Sequence, residues 1–218
     1  MELKGKKIVF LGDSITEGVG TSGPEARFSY LIQKETGAEC INYGIGGTRI
    51  SRQTIPSANP RHDKDFISRV EGLDPNADII VVFGGTNDWG HGDASLGCMG
   101  DRSPYTFYGA LHTLYTMLIE RYPCSQIVIL TPLHRRREND PAADGTRPNT
   151  FGLLKDYVDV IREVAEYYSL PVLDLYRVSG IQPAIPIIKE KYMPDALHPN
   201  DEGHKLLAKK IISFLQIL

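Results

Sequence analysis

Apolar residues recur along this chain in two rhythms. Unbroken apolar runs occupy 8–11 and Ile79–Phe83, and strand-like stretches follow at 39–43, Gln126–Leu130 and 171–175. A run of four or five apolar residues without polar alternation fits a strand covered on both faces, the condition inside a parallel sheet. Helical periodicity is clearest over 105–121, 150–168 and 201–215; in the last, Leu206, Leu207, Ile211 and Leu215 share one helical face. Asp201 stands where it would cap that helix, with Glu202 in the first turn.

Five strands separated by helix-length stretches read as βαβ units. Right-handed crossovers wind such units into an α/β fold, a doubly wound parallel sheet with helices on both faces. Ligands of these sheets bind beyond the carboxyl ends of the strands, so function is sought in the loops that follow them. Two loops, 89–103 and 134–149, are longer than connection requires; loops of that length are lids, binding loops or unstructured segments. No linker, repeat or low-complexity tract interrupts the chain, and one domain spanning 1–218 is expected.

Composition narrows the classes further. At 218 residues, with 41% hydrophobic and 23% charged, the chain has enough apolar side chains for one sizeable core. Its longest apolar runs are too short to cross a bilayer, and MELKGKKIVF leads from charge into a strand without the pattern of a secretory leader. Three cysteines, Cys40, Cys98 and Cys124, show no C-x-x-C spacing, which argues against a disulfide framework or a zinc site and makes a reducing cytoplasm the default. A formal net charge of −3 offers no basic face for nucleic acid. The one basic run, 135–137, shares its segment with Glu138, Asp140 and Asp144 and reads as a solvated loop.

Candidate chemistry gathers at the strand ends. Gly12-Asp13-Ser14-Ile15-Thr16 follows the first strand; serine attacks only when a base takes its proton, so alone this is a turn into a helix with Asp13 or Thr16 as a cap. Asn42-Tyr43-Gly44-Ile45-Gly46-Gly47-Thr48 follows the second strand, where glycines either expose a backbone N–H to an anion or simply make a tight turn. Gly84-Gly85-Thr86-Asn87-Asp88 follows the third and sets a short amide at the same sheet edge, or forms an Asx turn. Before the last helix, Asp195-Ala196-Leu197-His198 puts a carboxylate three residues ahead of an imidazole, able to accept Nδ1–H and leave Nε2 free as a base. Jointly these blocks supply a nucleophile (Ser14), a base (His198), its orienter (Asp195) and oxyanion donors at the Gly47 N–H and the Asn87 amide.

These blocks resemble those of the SGNH hydrolases, the GDSL esterase and lipase family: GDSIT at 12–16, the glycines around Gly47, GGTND at 84–88 and DALH at 195–198. The likeness runs from the first strand to the last helix. It implies a three-layer α/β/α, flavodoxin-like sheet of five parallel strands in the order 2-1-3-4-5. It also implies a Ser14-His198-Asp195 triad, an oxyanion hole of the Ser14 N–H, the Gly47 N–H and Asn87, and no metal or cofactor. Gly44, Gly46 and Gly47 each align with the family's single glycine, and counting from Asn42 favours Gly47. The G-x-S-x-G elbow of the α/β-hydrolases is missing, since Thr16 follows Ile15.

A non-catalytic nucleotide, flavin or carbohydrate module is the reading from another class. The first turn has neither G-x-x-x-x-G-K-[ST] nor G-x-G-x-x-G, and a nucleotide or flavin module would have no use for Asp195 and His198 together. A long acyl chain calls for an exposed apolar lid, whereas the two long loops are polar, with Trp89 the only tryptophan. The expected substrate is therefore a short-chain, acetyl, ester of a carbohydrate-like or other polar alcohol, with a lysophospholipid or thioester as the alternative. Asp13, which fixes the turn, and Trp89 are expected beside the substrate.

Overall fold

The structure is a computed structural model that describes residues 1–144 and 151–218. Its sheet runs β2-β1-β3-β4-β5, every neighbouring pair parallel, from β1 (Lys7–Gly12), β2 (Glu39–Gly44), β3 (Ile79–Phe83), β4 (Gln126–Leu130) and β5 (Val172–Leu173). The α/β class and the flavodoxin-like order 2-1-3-4-5 are as expected. Alternate strand residues feed two separate cores. Val9, Leu11, Ile80, Val82, Ile127 and Ile129 pack against α3 (Phe66–Arg69), α5 (Phe107–Arg121) and α6 (Leu154–Tyr167). Ile8, Phe10, Ile79, Val81, Val128 and Leu130 pack against α2 (Phe28–Thr36) and α9 (Asp201–Ile217). Helices on both faces are why these strands do not alternate apolar with polar, and each fully buried Ile, Leu or Phe contributes about 1.5–3 kcal/mol.

Departures from the sequence reading have local causes. Asp174 accepts the Arg177 N–H and opens α7 (Leu175–Val178), so β5 closes earlier than 171–175. Thr106 caps α5 through the Gly109 N–H, two residues into the expected 105–121. Residue 150 and the end of the 134–149 loop lie outside the described residues. The cap of α9 is Asn200, which accepts from Gly203 N, rather than Asp201; the Asp201 carboxylate instead takes the Ser22 N–H and hydroxyl at 2.8 and 2.7 Å. Among the described residues no helix is long and apolar enough to cross a membrane.

The α2–α9 contact contains a titratable group. His204 is fully buried, its ring stacks on Phe28 with centroids 5.6 Å apart, and its Nδ1 accepts the Phe28 N–H at 3.0 Å. Burial pushes its pKa down from 6.5 to about 4. Between those values the unfolded chain binds this proton and the folded one does not. The stabilisation is therefore complete above about pH 6.5 and lost as pH falls toward 4, worth about 3 kcal/mol at most. Asp13, raised to about 7 by burial, acts in the opposite sense, so the effect is read as a difference. Denaturant unfolding from pH 7 to pH 4.5 is expected to fall more steeply in the wild type than in His204→Gln; parallel slopes would show that the imidazole does not titrate between the two states.

Candidate active site

The chain steps from β1 out to β2 and then back across to β3, so the turns after β1 and β3 meet at the topological switch point where such sheets hold ligands. Ser14 begins α1 (Ser14–Glu17) directly after β1, and Asn87 lies in α4 (Thr86–His91) directly after β3. Asp13 Oδ1 accepts the Ile15 N–H at 3.0 Å and starts α1, leaving Ser14 7% exposed at its tip. Asp13 itself is buried, its pKa raised to about 7 by burial against the opposing Ile15 N–H and Arg69 charge. It shapes the serine turn rather than offering a surface to substrate.

The last turn arrives with its own internal order. Asp195 Oδ1 accepts the N–H groups of Leu197 and His198 at 2.8 and 2.7 Å, which bends the chain so that Oδ2 meets His198 Nδ1 at 2.7 Å. The bend needs Ala196 at φ +59°, a left-handed conformation that costs a non-glycine residue about 1 kcal/mol. It is held by the Ala196 N–H to Met193 O at 2.7 Å and the Arg136 N–H to Ala196 O at 2.8 Å. His198 Nε2 then lies 3.0 Å from Ser14 Oγ. With the Nδ1 proton donated to Asp195, Nε2 is the acceptor for the serine hydroxyl. The Asp195 side chain is 50% exposed; burial works against its charge, but the His198 and Leu197 N–H donors and the imidazole outweigh it and hold the carboxyl below its ordinary range. Gly20, at φ +95°, backs this turn so closely that a side-chain carbon there would lie 2.7 Å from Pro199 O and 3.1 Å from His198 Cβ.

The three glycines differ in what their N–H groups bond to. Gly44 N–H is taken by Asn42 Oδ1 at 2.8 Å and Gly46 N–H by Glu17 Oε2 at 2.6 Å. The Gly47 N–H has no acceptor among the described residues. Gly47 adopts φ +75°, and a methyl there would strike the His62 ring at 2.4 Å. Asn87, 6% exposed, gives one amide hydrogen to Thr48 O at 2.9 Å and keeps the other, so its Nδ2 is fixed beside the glycine turn.

Several residues that set this geometry carry no sequence signal. Arg69 donates to Gly12 O at 3.2 Å, Tyr43 O at 2.7 Å and Thr48 Oγ1 at 3.1 Å, clamping the serine turn to the glycine turn; burial lowers its pKa to about 10. Asp88 takes the Ile50 and Ser51 N–H groups at 2.9 Å and tethers the glycine turn to the residue after Asn87. An arginine or aspartate in a turn is ordinary, and only the fold shows what it grips. Among the described residues, no group of three or more His, Cys, Asp or Glu is arranged to hold a metal ion.

Two further expectations are corrected. Trp89 does not line a binding surface: α4 carries it into the core, fully buried beneath the Arg135 guanidinium at 4.9 Å. Arg135, in turn, is no solvated loop residue; it is 3% exposed and donates to Thr86 O, Thr86 Oγ1 and Asp144. Only Arg136 and Arg137 of that basic run are exposed.

With Ser14, His198 and Asp195 in one hydrogen-bonded line at the switch point of this fold, the chain can be set beside known proteins. A family model described as the GDSL-like Lipase/Acylhydrolase family matches residues 10–206. The chain belongs to this family. An acetylxylan esterase of Geobacillus stearothermophilus is 25% identical over 232 residues, covering 95% of this chain and 93% of that protein. A solved structure of a Lactobacillus plantarum protein is 32% identical with a TM-score of 0.83, covering 98% and 97% of the two chains. A lipase/acylhydrolase from Enterococcus faecalis, 24% identical with a TM-score of 0.66 over 96% and 95%, shares the fold. As a GDSL-like acylhydrolase the chain is a carboxylic ester hydrolase.

Proposed function

We propose that this GDSL-like acylhydrolase is a serine esterase that removes short acyl groups, acetyl foremost, from esters of a carbohydrate-like or other polar alcohol. The supporting observation is the unbroken line Asp195 Oδ2 to His198 Nδ1 to His198 Nε2 to Ser14 Oγ. In this reading His198 takes the Ser14 proton as Oγ attacks the ester carbonyl, then returns it to the leaving alcohol. Water, deprotonated by the same imidazole, cleaves the acyl-enzyme. Asp195 keeps the imidazole in the tautomer with Nε2 free. The negative oxygen of each tetrahedral intermediate is met by the N–H groups of Ser14 and Gly47 and by Asn87 Nδ2, each worth on the order of 3 kcal/mol.

The substrate assignment draws on two supports. The residues around Ser14 are polar, with Glu17, Arg61 and His62 beside the glycine turn, and a relative across nearly the whole chain is an acetylxylan esterase. A series of p-nitrophenyl esters from acetate to decanoate tests it: kcat/KM for acetate is expected to exceed that for decanoate by about tenfold or more. The reverse preference would move the reading to a lysophospholipid or thioester. Covalent labelling by a fluorophosphonate, lost in Ser14→Ala, separates an active serine from a binding module.

A further inference from the structure

The turn Pro60–Asp63 folds over the glycine turn and brings two side chains that the reaction itself does not use. Its hold is firm. Buried Arg49, two residues beyond Gly47, donates to His62 O at 3.2 Å, Asp63 Oδ1 at 3.0 Å and Ser57 Oγ at 2.9 Å. Arg49 also lies 3.0 Å from Nδ1 of His91, whose pKa falls to about 4 through burial and that same charge, so the neutral ring accepts from the guanidinium.

From this platform the His62 ring lies against Gly47, filling the space where a side chain would begin. The Arg61 guanidinium pairs with Glu17, whose other oxygen accepts the Gly46 N–H. A single carbon added to Gly46 would touch Ser14 Cβ at 3.5 Å and Arg61 Nη1 at 3.8 Å. Arg61 and Ser14 therefore both border Gly46, with 49% of the Arg61 side chain exposed and His62 half-buried beside it.

We propose that Arg61 and His62 form a polar wall of the substrate cleft that hydrogen-bonds hydroxyl groups on the alcohol part of the ester. This rests on the reading of Ser14 as nucleophile and Gly47 as oxyanion donor. An acetyl group has no polar atom beyond its carbonyl, so any substrate group that meets a guanidinium and an imidazole at this position belongs to the alcohol. The Glu17 carboxylate already balances the arginine charge, which favours a neutral polyol over a phosphorylated or carboxylated one. Donors held on a supported turn discriminate by position, because only an alcohol with hydroxyls set to meet them gains these hydrogen bonds in place of water.

The test compares two acetate esters on the same enzyme: p-nitrophenyl acetate, and a mono-acetylated methyl xyloside bearing free hydroxyls. In Arg61→Met and in His62→Ala, the ratio of kcat/KM for the xyloside to that for p-nitrophenyl acetate is expected to fall by about tenfold or more. The double variant Glu17→Gln/Arg61→Met removes both charges, so a fall that persists there is not the effect of a stranded carboxylate. Equal losses on both substrates, or no change in the ratio, would overturn the wall. A wild type that hydrolyses p-nitrophenyl acetate but not the xyloside would overturn it too. Full turnover of p-nitrophenyl acetate by Ser14→Ala would instead overturn the nucleophile on which it rests, a failure visible without either wall variant.

Discussion

In Ser14→Ala, kcat for p-nitrophenyl acetate is expected to fall by about 10⁵- to 10⁶-fold, and His198→Ala is expected to match it. In the proposed mechanism the two side chains act as one unit: a serine hydroxyl is a weak nucleophile until Nε2, 3.0 Å away, accepts its proton. The double variant should therefore be hardly slower than either single one, because removing the second half of a broken pair removes nothing further. Circular dichroism and thermal unfolding close to the wild type would place the loss in the chemistry, since Ser14 Oγ bonds to nothing but His198 among the described residues. Additive losses, or a Ser14→Ala enzyme within tenfold of the wild type, would remove serine from the mechanism.

Asn87→Ala is expected to lower kcat by about 10²- to 10³-fold while moving KM little. In the proposed reaction the amide's free hydrogen meets the carbonyl oxygen weakly in the ground state and strongly once that oxygen is negative, and an interaction made in the transition state alone appears in kcat. The substitution also strips Thr48 O of a donor in a buried setting, which should cost about 1–3 kcal/mol of stability. Activity is therefore compared at a temperature where both proteins are folded. Asn87→Asp donates to neither oxygen and adds a negative charge beside the developing one, so its loss of kcat should exceed that of alanine. A rise in KM at constant kcat would assign Asn87 to ground-state binding instead.

The four blocks that meet at the sheet edge were readable in the sequence because their chemistry is local. Asp195 and His198 stand three residues apart and close their hydrogen bond within one turn, and Gly47 could be favoured by counting from Asn42. The N–H of Gly44 is taken by a neighbour in its own turn, whereas that of Gly46 is taken by Glu17 on another element, a partner no local pattern shows. Trp89 misled for the same kind of reason. A lone tryptophan after a strand looks like a surface for sugars until Arg135, brought in from beyond β4, closes over its ring. Arg61, His62 and Arg69 gave no signal, because each acts on a turn distant along the chain.

The apolar runs and their spacing by themselves determined a parallel sheet with helices on both faces, because burial on two sides demands unbroken apolar strands whatever surrounds them. The residue types at the strand ends likewise determined which chemistry was available. Only the tertiary structure decided which N–H groups remained free, which polar side chains were buried as clamps and which stayed exposed. Those outcomes depend on hydrogen-bond partners contributed by elements far apart in sequence, and no local pattern encodes a partner that arrives only on folding.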